Sequence, residues 1–221
     1  NLLDAMRAFK VEKIIFSSTA ATYGQPLYTP INEMHPQQPI NPYGRSKLMV
    51  EGALADFDRA YGLKSVCLRY LNVTGADPDG QLGQGNYHEP NCVQLLLQVA
   101  QGQRSHFTVF GRDYETPDGT SIRDYTHVSD VCEANWLALQ SLTKGDDSQT
   151  YNLGNGNGYS VQAMIDTVRE VTDREIKVID GPRRKGEPAR LVADTSLITR
   201  RLGWKPKFQD LKTIIQHSWN W

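Results

Sequence analysis

Lys13-Ile14-Ile15-Phe16-Ser17-Ser18-Thr19 is a short apolar run that ends in three small hydroxyl-bearing residues. A run without polar alternation is the pattern of a parallel strand covered on both faces. Open α/β sheets collect their ligands beyond the C-terminal ends of such strands, so Thr19 is delivered to where chemistry is expected. Upstream, Leu2, Leu3, Met6 and Phe9 recur at three- and four-residue spacing, which predicts a helix over residues 1–10. Downstream, a loop rich in proline (Pro26, Pro30, Pro36, Pro39, Pro42) leads into a helical stretch from Tyr43 to about Tyr61, which Gly62 stops. Ser65-Val66-Cys67-Leu68-Arg69-Tyr70 reads as the next strand. Helix and strand alternating in this way predict an α/β fold with a doubly wound parallel sheet.

From Gly75 the texture turns to Gly, Asp and Asn, through Asp77-Pro78-Asp79-Gly80 and on to Pro90. Such a stretch leaves the sheet, and a domain boundary is placed here. Beyond it the pattern predicts helix 91–101, strand 107–110, a turn at Pro117-Asp118-Gly119, helix 128–142, strand 150–153, helix 160–172, strand 176–179 and a terminal helix carrying Leu211, Ile214 and Ile215. The chain opens inside a helical pattern, so it is expected to lack an N-terminal part.

The 221 residues carry a formal net charge of -1, with 39% hydrophobic and 22% charged residues. Neither sign dominates, which gives no electrostatic footprint for nucleic acid or an anionic membrane, and points to a small-molecule partner. No stretch approaches the roughly 20 apolar residues that span a bilayer. Cys67, Cys92 and Cys132 are scattered and form no C-x-x-C pair, so they read as reduced core thiols of a cytoplasmic protein. His35, His88, His106 and His217 show no ligand spacing, and no metal site is expected.

Tyr43-Gly44-Arg45-Ser46-Lys47 sets a phenol and an ammonium four residues apart at a helix start, hence on one face. A neighbouring cation favours a phenolate, which makes such a tyrosine a usable base. Alone, the pair also reads as a solvated helix face. Its neighbours favour chemistry, because Ser17-Ser18-Thr19 and Arg69-Tyr70-Leu71-Asn72 end the flanking strands. A hydroxyl, a phenol and a lysine at one sheet edge form a proton-transfer constellation. Gly154-Asn-Gly156-Asn-Gly158 also lies between strand and helix, but Tyr159 stands where a dinucleotide fingerprint needs its third glycine, so it reads as a loop.

Eight ordered runs together resemble the extended short-chain dehydrogenase/reductase family, and within it the enzymes acting at C4 of UDP-sugars. They are Phe16 to Gly24 (FSSTAATYG), Pro42 to Lys47 (PYGRSK), Arg69 to Gly75 (RYLNVTG), Asp113 to Thr120 (DYETPDGT), Arg123 to Val128 (RDYTHV), Tyr151 to Gly154 (YNLG), Arg183 to Glu187 (RRKGE) and Leu202 to Trp204 (LGW). The resemblance implies a Rossmann-type NAD domain with a smaller α/β substrate domain. It assigns residues 1–75 to the second half of the NAD domain, with 123–153 packing back onto it, and 76–122 with 154–221 to the UDP-sugar. The family's glycine fingerprint is absent, so on the order of 100 residues are expected upstream, at roughly 30 per βαβ step.

The resemblance makes Tyr43 the acid and base at the sugar 4-hydroxyl, Lys47 the holder of the cofactor ribose, Thr19 a second hydrogen-bonding partner of that hydroxyl, and Leu71 a neighbour of the cofactor. It gives Asn72 and Asn91 to the substrate, Arg123 and Arg184 to the diphosphate, Glu187 to a ribose hydroxyl, Thr108 and Phe110 to the uracil, and Leu191 to the sugar. Arg123 has the alternative of an ion pair with Asp124 or Asp130, and Phe110 that of plain core. Glu187 stands where the family usually has Asp, and the run Asn91-Cys92-Val93-Gln94 departs from the usual pattern. His127 reads as structural.

Within the family, dehydration needs carboxyl groups just after the strand threonine, whereas this chain has Thr19-Ala20-Ala21. The implied reaction is the NAD-dependent interconversion of UDP-glucose and UDP-galactose by oxidation and re-reduction at C4. Alternatives are a 4-epimerase of UDP-xylose, a UDP-uronic acid or a UDP-N-acetylhexosamine, or a non-catalytic UDP-sugar or NAD module. The resemblance also implies a homodimer formed through the helix bearing Tyr43.

Overall fold

The structure is a computed structural model that describes residues 1–85 and 91–221. His88 and the Pro90 end of the predicted loop therefore lie outside the described residues. In chain order the elements are α1 (Leu2–Ala8), β1 (Lys13–Thr19), a 3-10 turn (Ala20–Thr22), α2 (Pro42–Tyr61), β2 (Lys64–Tyr70), β3 (Asn72–Thr74), α3 (Cys92–Ala100), β4 (Phe107–Phe110) and β5 (Ile122–Arg123). They continue with β6 (Tyr125–His127), α4 (Val128–Lys144), β7 (Gln149–Leu153), β8 (Tyr159–Ser160), α5 (Val161–Thr172), β9 (Val178–Gly181), β10 (Arg190–Leu191), α6 (Ser196–Leu202) and α7 (Leu211–Asn220).

β1, β2 and β7 form one parallel sheet in that order, with Thr19 level with Tyr70 and Tyr70 level with Leu153. Three strands thus end in one row. Alternate side chains point to opposite faces of a strand, and the two faces of this sheet are covered by different helices. Ile14, Phe16 and Cys67 pack with Met6 of α1 and with Leu54 and Phe57 of α2. Ile15, Val66, Leu68 and Tyr70 pack with Val131, Ala134, Ala138 and Leu142 of α4. This is the doubly wound arrangement that the apolar strand predicts.

A second core lies elsewhere. It joins Val93, Leu96 and Leu97 of α3 to Val109 of β4, Met164, Ile165 and Val168 of α5, and Leu211 and Ile215 of α7. β4 and β9 pair in parallel beside it, while β10, β5 and β8 form a small sheet between residues far apart in sequence. The strand expected at 176–179 sits two residues later, because its partner sets the register (Phe107 opposite Val178) and leaves Ile176 as a buried lead-in.

The glycine loop after β7 wraps around a protein carboxylate. The N–H groups of Asn155, Gly156 and Ala193 donate to Asp124 at 2.6, 3.1 and 3.1 Å. Burial pushes the Asp124 carboxyl above its usual range, and the three N–H donors act against that rise. A Cβ on Gly154 would lie 2.3 Å from Asp124 Oδ2, so this position takes only glycine. His127 is likewise structural in its contacts. Its Nδ1 accepts from Ser129 N at the start of α4, which leaves the proton on Nε2 facing His217 Nδ1 at 3.0 Å. Burial, reinforced by His217, holds His127 down at about 4.

The cysteines need one correction. Cys67 is buried and its thiol is pushed up to about 12 by burial, and Cys92 packs against the second core, where burial pushes its thiol up to about 11, but Cys132 is exposed on α4. Among the described residues no helix is long and apolar enough to cross a membrane.

Candidate active site

α2 starts where the sequence places it because Asn41 accepts from Gly44 N at 2.8 Å and Pro42 occupies the first turn. Its first turn lies directly on the 3-10 turn that follows β1. A Cβ on Gly44 would be 2.3 Å from the carbonyl oxygen of Ala21. Glycine is what lets the helix bearing Tyr43 close against the turn that begins at Thr19. Gly44→Ala is therefore expected to force the helix off the sheet and cost about 1–3 kcal/mol, the usual scale of overpacking. Chemical denaturation reads this directly, and an unchanged midpoint would refute the close approach.

At this edge Lys47 Nζ donates to the carbonyl of Ser17 at 2.9 Å and lies 5.8 Å from the centroid of the Tyr43 ring. Tyr43 is 57% exposed, and its hydroxyl makes no hydrogen bond among the described residues. Thr19 is buried, and its Oγ1 accepts from Ala21 N at 3.2 Å, which leaves the hydroxyl proton free to donate. The three predicted groups thus share the C-terminal edge of β1. Leu71 and Leu191 pack together against Ala20, Tyr23 and Ile31, just behind that edge.

A second set of predicted residues lines one cavity of about 450 Å3: Asn72, Asn91, Thr108, Phe110, Arg123, Arg184 and Glu187. Arg123 Nη2 donates to Glu187 Oε1 at 2.9 Å and its Nη1 to the carbonyl of Ile122 at 2.7 Å. The pairing expected as the alternative for Arg123 does not occur: Asp124 is engaged by backbone N–H groups, and Asp130 accepts from the N–H groups of Lys207 and Phe208. Phe110 is not plain core either, being 36% exposed with the Arg184 guanidinium 4.1 Å from its ring centroid. Asn72 donates to the carbonyl of Asp124 at 2.9 Å, and Asn91 caps α3 by accepting from Gln94 N at 3.0 Å. Glu187, one methylene longer than Asp, thus spends one oxygen on Arg123 and keeps the other open. Leu191 does not line this cavity; it sits on β10 opposite Arg123, on the side of Leu71.

Sequence reasoning misses Arg104 and His106, which line the same cavity from the loop before β4. It also misses Glu51 as a partner of Arg69. The helical spacing of Tyr43, Lys47 and Glu51 is a signal that could have found it.

The family model described as GDP-mannose 4,6 dehydratase matches residues 1–217. The chain belongs to the extended short-chain dehydrogenase/reductase family. It is 47% identical over 220 residues to the UDP-glucose 4-epimerase of Halalkalibacterium halodurans, and 48% identical over 220 residues to that of Lacticaseibacillus casei. In both cases the match covers 100% of this chain and 66% of the relative, so the chain spans just under two thirds of the length of these members of the family. Among solved structures, a UDP-glucose 4-epimerase from Brucella ovis in complex with NAD superposes with a TM-score of 0.96 at 44% identity, over 99% of this chain and 67% of that one. The Bifidobacterium longum enzyme, in complex with NAD+ and UDP, gives a TM-score of 0.91 at 38% identity, over 100% and 66%.

Proposed function

We propose that the complete polypeptide containing this chain interconverts UDP-glucose and UDP-galactose with NAD as cofactor. The observation that carries the reading is the Tyr43, Lys47 and Thr19 edge followed by two alanines. Tyr43 offers an exposed phenol, unpaired among the described residues, to carry the proton of the sugar 4-hydroxyl. Thr19 has a hydroxyl proton left to donate to the same oxygen. Lys47 uses one of its three N–H donors on Ser17, so two remain for a ribose diol. These donors fit a nicotinamide nucleotide, which when bound supplies a hydride acceptor for C4.

Arg123 and Arg184, whose planar forks suit phosphate oxygens, are read as holding the diphosphate in the cavity that Thr108 and Phe110 close around the base. Asn72 and Asn91 are read as substrate contacts, and the free oxygen of Glu187 as the acceptor for a ribose hydroxyl. In this reading residues 1–75 with 123–153 serve the cofactor, and 76–122 with 154–221 serve the UDP-sugar.

The matching family model is described by a dehydratase, which gives a second reading. Elimination of water requires groups that exchange protons at C5 and C6, and the methyl groups of Ala20 and Ala21 cannot do this. The experiment is to supply UDP-galactose in D2O and follow the product by NMR. UDP-glucose without carbon-bound deuterium is expected; a 4-keto-6-deoxy product carrying deuterium would establish the dehydratase instead.

Sugar choice is assigned to Leu191, which packs beside Ala20 and pairs on β10 with Arg123, while Leu71 is read as a neighbour of the cofactor. Leu is intermediate in size, so UDP-galactose is expected to be preferred over UDP-N-acetylgalactosamine. Leu191→Ala should shift the ratio of kcat/KM values toward the N-acetyl sugar by about tenfold, the equivalent of about 1.4 kcal/mol of relieved overpacking, and Leu191→Tyr should shift it the other way. A ratio that ignores side-chain size places Leu191 away from the sugar.

Met49 and Val50 of α2 are apolar yet 70% and 38% exposed, which suits contact with a second copy of the chain. Sedimentation as a dimer is expected, and a monomer at micromolar concentration would oppose it.

A further inference from the structure

Glu51 follows Lys47 by one helical turn and Tyr43 by two, which puts all three on one face of α2. Yet Glu51 is turned inward and is nearly buried. Arg69 of β2 meets it with two N–H groups, Nε to Oε1 at 3.0 Å and Nη2 to Oε2 at 2.5 Å, and the two side chains are only 9% and 6% exposed. Ser18, the residue before Thr19, also donates to Oε1, and Gln37 donates to Oε2 at 3.2 Å. The third arm of Arg69, Nη1, donates to the Tyr23 hydroxyl at 2.7 Å, which in turn donates to Asn152 of β7 at 2.7 Å. Every side-chain nitrogen and oxygen of Glu51, Arg69 and Tyr23 has a partner.

A buried ion pair adds little net stability, because desolvation offsets most of its attraction. What a two-point contact between a planar guanidinium and a carboxylate does supply is orientation. α2 is fixed at Gly44 by contact with Ala21 and, two turns later, at Glu51 by Arg69. A helix held at two points on one face cannot turn about its axis. Tyr43 and Lys47 share that face, and Ser18 ties the same carboxylate to the strand that carries Thr19.

We propose that the Glu51–Arg69 pair, seated on Ser18 and Tyr23, is a positioning element that sets the rotation of α2 and thereby holds Tyr43 and Lys47 against Thr19. The inference rests on the proton-transfer role given to these three residues above. Neither Glu51 nor Arg69 touches substrate in this account.

The test uses the complete polypeptide, with turnover of UDP-galactose expressed per UDP-binding site from calorimetric titration, so that unfolded protein does not count. Arg69→Lys keeps the buried charge but loses the planar two-point contact. Positioning predicts that kcat per site falls at least about tenfold, with KM for UDP-galactose and Kd for UDP within about threefold. A role confined to charge compensation predicts normal kcat per site, which would overturn the proposal. Should Arg69→Lys fail to fold, Tyr23→Phe leaves the ion pair intact and removes the seat of Nη1 together with the bond to Asn152. It is expected to lower kcat per site by about threefold, and an unchanged value would again overturn the proposal. A parent protein that binds UDP but does not turn over UDP-galactose would refute the functional reading itself, and this shows before any variant is made.

Discussion

Tyr43→Phe is expected to lower turnover of UDP-galactose by at least about 100-fold in the complete polypeptide, because in the proposed mechanism it removes the group that takes and returns the proton of the 4-hydroxyl; this is the usual scale for loss of a general acid and base. The substitution is a clean one. The Tyr43 hydroxyl has no partner among the described residues and the ring is 57% exposed, so no buried group is orphaned and stability should stay within about 0.5 kcal/mol. UDP binding, which the proposal gives to the arginine cavity, should not change. Stopped assays of kcat beside a UDP titration check both, and a variant with near-normal kcat would remove Tyr43 from the mechanism.

A polypeptide of these 221 residues should behave differently from the complete one. The residues assigned to UDP all lie within it, so it is expected to bind UDP. NAD is another matter. The family holds the cofactor pyrophosphate on a glycine-rich turn at a helix N-terminus; the family's glycine fingerprint is absent from this sequence, and the glycine-rich loop after β7 is engaged with Asp124. Loss of detectable turnover and weak NAD binding are expected. Calorimetry with each ligand separates the two halves of the prediction, and tight NAD binding by this polypeptide would contradict the assignment.

Much of this was legible in the sequence, and the reasons are physical. The apolar strand Lys13–Thr19, the helix stopped by Gly62 and the amphipathic α5 and α7 extend over enough residues for their periods to show. β3, β5, β6, β8 and β10 span only two or three residues each, too short for any period, and their pairings join residues far apart in the chain. α6, unread in the sequence, buries only Ile198 and shows little of an apolar stripe. The pairing of Arg123 with Glu187, 64 residues away, could not be told from pairing with the adjacent Asp124, because sequence proximity says nothing about which carboxylate the backbone has already engaged. Cys132 misled for a related reason: cysteine is usually buried, but the helix face decides, and this one points outward.

If Tyr43, Lys47 and Thr19 serve reversible oxidation at C4 and nothing further, the hydrogen on C4 can be followed through one conversion. The complete polypeptide is incubated with UDP-galactose deuterated at C4, and the UDP-glucose formed is analysed by mass spectrometry and NMR. UDP-glucose with the deuterium retained at C4 is expected, since the hydrogen leaves and returns within one closed site. Product with hydrogen at C4 drawn from solvent, or no UDP-glucose from a protein that binds UDP, would contradict it.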